Sequence, residues 1–121
     1  MKIMNIKLIL LMVLIPLNAN SQIDIVDFCK MRAESDARYI AYRQQGLSKA
    51  RLMELENDRI DYIAKQNNAG PDFTDQYKRF VESDISAAYD ISVGATQEEK
   101  LQTAKEYLKS RMAECIRENS K

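Results

Sequence analysis

A chain of 121 residues, 45% hydrophobic and 30% charged, with 18 basic and 18 acidic side chains, reads as one small domain with too much apolar content for disorder. Neither sign dominates a segment, so the basic field that nucleic acid or an anionic membrane requires is missing. Histidine is absent altogether, which removes the commonest general base and the commonest metal ligand together.

Residues 1–21 stand apart from the rest. Met1 to Lys7 carries Lys2 and Lys7 and no acid, Leu8 to Leu17 is an apolar run broken only by Pro16, and Ala19-Asn20-Ser21 supplies small residues for cleavage. This is the layout of a secretory signal peptide. Its apolar run is about half of the roughly 20 residues a spanning helix needs. Cys29 follows Val26-Asp27-Phe28 rather than small residues, so no lipid attachment is expected. The expectation is an exported chain, residues 22–121, with no membrane anchor after cleavage.

The rest has helical spacing and almost no two-residue alternation, which predicts an all-α fold. The first helix spans Asp24 to Gly46. Ile25, Cys29, Ala33, Ala37 and Ile40 share its inner face, Val26, Ala41 and Gln44 flank them, and Met31, Arg38 and Tyr42 point away. Gly46 ends it and Ser48 caps the second helix, Lys49 to Gln66, with Leu47 placed to staple onto Leu52. This second helix has two stripes. Leu52, Leu55, Tyr62 and Ile63 form one, and Met53, Ile60 and Ala64 form another that is buried broadly or meets a partner. The charges from Glu54 to Lys65 alternate as on a solvated face.

Asn67 to Asp72 is a loop. A third helix begins between Asp72 and Thr74 and runs to about Ser92, aligning Tyr77, Val81, Ile85 and Ala88, with Phe73, Phe80 and Ile91 beside them and Gly94 as its stop. Asp84 is the acid nearest that stripe and is expected to pair with a base. Thr96-Gln97-Glu98-Glu99 is a capping box for a fourth helix, to about Glu118, that aligns Leu101, Ala104, Leu108, Met112 and Cys115.

Short connections favour an up-down-up-down four-helix bundle in which the first and last helices are antiparallel neighbours. Cys29 then lies about one turn into the first helix and Cys115 about one turn before the end of the last, at one level of the bundle. In an oxidising compartment the two should form a disulfide, which stabilises a domain of this size against unfolding.

Little chemistry is left. With both cysteines bonded there is no thiolate for zinc or for attack, the three glycines make no phosphate loop, and the carboxylates lack calcium-loop spacing, so no catalytic residue, metal or cofactor is predicted. Arginine and tyrosine anchor protein contacts, which singles out Met31, Arg38 and Tyr42, with Met53 and Ile60 on the second stripe, as a partner surface.

Cys29, the junction Arg43-Gln44-Gln45-Gly46-Leu47-Ser48 and the late Cys115 resemble a loose pattern in small exported, disulfide-containing helical proteins of Gram-negative bacteria. The resemblance implies a periplasmic location and carries over no catalytic residue. The function expected is non-enzymatic binding of another protein, for instance as an immunity protein that inhibits an envelope toxin, by a monomer or a homodimer. The alternatives are an acid-stress chaperone opened by charge repulsion and a signal-anchored regulator of lysis.

Overall fold

The computed structural model describes residues 24–120. The expected signal peptide, residues 1–21, lies outside the described residues. Four helices and no strand make up the described chain: α1 (Ile25–Gln45), α2 (Lys49–Gln66), α3 (Pro71–Tyr89) and α4 (Gln97–Asn119).

Local chemistry sets most of the boundaries. Asp24 caps α1 through Val26 N–H, and Ser48 caps α2 through Arg51 N–H. At the end of α1, Gly46 adopts φ 93°, while its N–H donates to the Arg43 carbonyl and that of Leu47 to the Tyr42 carbonyl. That pairing uses up two carbonyls the helix leaves free, and the left-handed residue it requires is one glycine adopts without strain. α2 ends the same way with an asparagine: Asn68 has φ 54°, and Ala69 N–H donates to the Ala64 carbonyl. Pro71 opens α3, its missing N–H being one the first turn would leave unused.

Both ends of the third helix shift, its start to Pro71 from the expected Asp72 to Thr74. α3 stops at Tyr89, capped by Asp90, and Gly94 lies beyond it in the connection to α4. A side chain at Gly94 would meet the Lys100 nitrogen at 2.7 Å, so this glycine is required by close packing on the first turn of α4 and is no helix stop. The capping box is also offset. Thr96 Oγ1 accepts from Glu99 N–H as expected, but the Glu99 carboxylate accepts from Ala95, one residue before the cap.

The helices alternate in direction. Cys29 against Cys115 and Asp36 against Arg111 make α1 and α4 antiparallel, Tyr39 against Glu56 does so for α1 and α2, and Lys78 against Asp61 for α2 and α3. The packing is uneven. α1 packs most extensively on α4, α2 on α3, and α1 on α3, whereas α1 and α2 approach closely only to a small extent. α1 is thus the central helix, with α4 along one side and α2 and α3 along the other.

The core joins Tyr39 and Ile40, Leu52 and Ile60, Val81, Ile85 and Ala88, and Tyr107, with Leu47, Met53, Tyr77, Tyr89, Ile91 and Ala104 packed around it. Burying each Leu or Ile contributes about 1.5–3 kcal/mol. The central position of α1 explains why it buries Asp36, Tyr39 and Gln44 as well as Cys29 and Ile40, while Ile25 and Val26, at its open end, stay exposed. α2 buries one stripe, Leu52, Glu56, Ile60 and Ala64, and leaves Leu55 and Tyr62 exposed, so the broad burial expected of it is not found. On α4 only Tyr107 and Cys115 are buried and Leu101 is exposed, because α4 has one extensive neighbour where α1 has two.

Candidate functional site

The Cys29–Cys115 disulfide is present, with Cα atoms 5.8 Å apart and a sequence separation of 86. It brings α1 and α4 together beside a buried ionic cluster. On α3, Asp84 accepts from Arg32 twice, at 2.8 Å from Nη2 and 3.3 Å from Nε, and from Arg111 Nη2 at 2.9 Å. Arg111, on α4, also donates from Nε to Asp36 Oδ2 at 3.2 Å. Three helices therefore meet on two carboxylates and two guanidinium groups, and the Arg32 guanidinium carbon lies 4.6 Å from the centre of the Phe80 ring. Arg111 supplies the link between α3 and α4 that close backbone packing does not.

The bonds are unequally shared. Asp84 accepts three hydrogen bonds, whereas Asp36 accepts one and its Oδ1 is buried without a partner. The Tyr107 hydroxyl, one turn before Arg111, is likewise buried and unpaired, and burial pushes it up to about 12 against the pull of Arg111. Burial, and then the negative charge of Asp84, push the Asp36 carboxyl up to about 6, although Arg111 and Arg32 act to lower it.

A second cluster joins α1 to α2. Glu56 accepts from the Tyr39 hydroxyl at 2.9 Å and from Arg59 at 2.9 and 3.2 Å, with Arg38 at 3.6 Å. Burial would raise the Glu56 carboxyl, but Arg59, the Tyr39 hydroxyl and Arg38 together outweigh it and hold it below the usual range. The Tyr39 phenol moves up through burial and the adjacent carboxylate.

A third set of bonds fixes the connection between α3 and α4. The buried Gln44 side chain donates to the Ser92 carbonyl and accepts from Gly94 N–H, and Arg43 donates to the Ile91 carbonyl at 2.9 Å. These hold the end of α1 against the loop that starts α4.

A cleft of ≈ 20 Å³ beside the disulfide is lined by Cys29, Arg32, Asp36, Arg111, Glu114 and Cys115, among others. That is room for about one water and not for an organic substrate. Among the described residues no group of three or more acids or cysteines is placed to hold a metal ion, and no helix is long and apolar enough to cross a membrane.

Of the residues expected at a partner surface, Met31 and Tyr42 are exposed, and Arg38 is exposed while reaching Glu56. Met53 packs against the core. Ile60 is 1% exposed, which removes it from any surface, because the α2 stripe that carries it faces α3 and the core. Glu56 is no member of a solvated face, since its position on that same stripe takes it inside. Asp84 pairs with bases as expected. Asp36, Arg111, Tyr39 and Tyr107 went unread in the sequence, yet a signal was there: Asp36 lies seven residues after Cys29 and four before Ile40, on the inner stripe, as Glu56 lies between Leu52 and Ile60.

Compared with protein-family models, with curated proteins and with solved structures, the chain matches none.

Proposed function

We propose that this is a non-enzymatic protein, exported to the periplasm, that binds another protein through the face where α1 meets α2. The observation that carries the reading is the composition of that face. Met31 and Tyr42 on α1 are 46% and 39% exposed, and Leu55 and Tyr62 on α2 are 39% and 64% exposed. At 100° per residue each pair falls within about 20° on its own helix. Arg38 and Arg59, which meet at Glu56, stand between the two pairs. Tyrosine and arginine on a rigid helical scaffold are what protein interfaces use as anchors.

The disulfide fits an oxidising compartment. With no histidine in the sequence, both cysteines bonded and a cleft beside the disulfide that holds about one water, binding is favoured over catalysis. An inhibitor of an envelope toxin is the most concrete member of this class.

The test is capture of a partner from periplasmic extract on the exported protein and on three variants. Tyr42→Asp and Tyr62→Asp should each weaken capture by about 2 kcal/mol or more, the scale of an anchor residue. Leu101→Asp, on α4 at the opposite side of α1, should leave it unchanged. No partner under several conditions, or equal capture by all three variants, removes the reading.

A further inference from the structure

Asp36 sits in a setting that favours a proton. It is 1% exposed, and Oδ1 is buried with no donor to meet it. From its own helix the facing charge is Arg32, from α3 it is Asp84, and from α4 it is Arg111, with the Tyr107 hydroxyl on the same helix. α2 turns its buried acid, Glu56, toward Tyr39, Arg38 and Arg59 instead. Arg32 is committed to Asp84 by two hydrogen bonds, and Arg111 is divided among Asp84, Asp36 and Glu114. Asp36 is therefore left with a single shared cation and a second carboxylate on that same cation.

Two like charges that share one desolvated site do not ionise independently. A proton on Asp36 Oδ1 removes one of the two charges and turns an acceptor without a donor into a donor. Oδ2 keeps its lone pairs for Arg111 Nε, so the link between α1 and α4 survives protonation.

We propose that Asp36 is a pH-responsive switch: it holds a proton in the folded protein under mildly acidic conditions in which an exposed aspartate is ionised, so that the α1–α3–α4 junction is tighter in mild acid than at neutral pH. The upward displacement of its carboxyl to about 6, by burial and by Asp84, agrees with this geometry. The device acts beside the disulfide and away from the α1–α2 face, so it stands independently of any partner bound there.

The experiment is a carboxyl-carbon NMR titration of the disulfide-bonded protein from about pH 3 to 9, with the Asp36 resonance identified by its loss in Asp36→Asn. The expected midpoint is about 6, roughly two units above an exposed aspartate. If Asp36→Asn does not fold, the wild-type titration still decides: one carboxyl near 6 supports the switch, and every carboxyl at or below about 4.5 overturns it. Where the variant folds, its unfolding constant is compared with that of wild type at pH 5 and pH 8. Its stability relative to wild type should rise about tenfold from the lower pH to the higher. An equal ratio at the two pH values overturns the proposal.

Discussion

The two buried ionic clusters on α1 place the same chemical group, a carboxylate, in settings of similar burial and displace it in opposite directions. Asp36 is 1% exposed and Glu56 7%. Desolvation therefore opposes the charged form in both, and the neighbours decide the outcome. Glu56 has two arginines and a phenolic donor with no second acid among the groups that act most on it, so its charged form is favoured. Asp36 shares Arg111 with Asp84 and accepts one hydrogen bond, so its neutral form is favoured. Burial alone predicts neither direction; the balance of donors and like charges does.

The pH consequences run in opposite senses. A carboxyl raised on folding keeps its proton between the unfolded value of 3.8 and the folded value of about 6, so its contribution to stability is greatest below that window and is lost as pH rises through it. The loss reaches about 3 kcal/mol above the window, as an order of magnitude. A carboxyl lowered on folding contributes stability above its unfolded value of 4.5, and that contribution is lost as pH falls through the lower folded value. Mild acid tightens the junction of α1 with α3 and α4, and stronger acid loosens the junction of α1 with α2.

The junctions also differ in covalent support, and the largest expected effect comes from removing it. Cys29→Ser and Cys115→Ser should each lower stability by about 4–5 kcal/mol in the chain-entropy account of a loop this long. The double variant should be little worse than either, because both changes break one bond. Thermal unfolding with and without reductant checks this: wild type should fall toward the variants, which should barely move. Free thiols titrated in the native protein would contradict the pairing.

Next in size, Asp84→Ala leaves Arg32 and Arg111 without the acceptor of three hydrogen bonds. Stranding buried charge in this way should cost about 3–4 kcal/mol. The same change takes away the like charge beside Asp36, so the Asp36 titration should move down. An unchanged Asp36 midpoint in this variant would mean that desolvation alone sets it.

The smallest effect tests the other junction. Glu56→Gln keeps an acceptor for Tyr39 and Arg59 but removes the charge, and should cost about 2 kcal/mol at pH 7. Its cost should shrink as pH falls below the unfolded value of 4.5 toward the lower folded value, through which the wild-type carboxylate is itself protonated. Denaturant unfolding at pH 7 and pH 3 reads both values. A cost that stays constant with pH would show that Glu56 acts through shape rather than charge.

What the sequence determined by itself was the local order: the bounds of α2 and α4, the Gly46 turn, the Ser48 and Thr96 caps, and the level match of Cys29 with Cys115. Each depends on residues within a turn or two, or on the regular rise of a helix, which spacing alone encodes. Only the tertiary structure decided where the buried face of α2 lies: it takes Leu52 from one expected stripe and Ile60 and Ala64 from the other, buries Glu56 between them, and leaves Leu55 and Tyr62 exposed. The same holds for the central place of α1, which draws Asp36 and Tyr39 inside, and for Arg111, which crosses from α4 to meet Asp36 and Asp84. A helical stripe says that a face is apolar but not how many neighbours cover it, and a buried charge becomes readable only when the residues that neutralise it, 75 and 27 positions away for Arg111, are brought into contact.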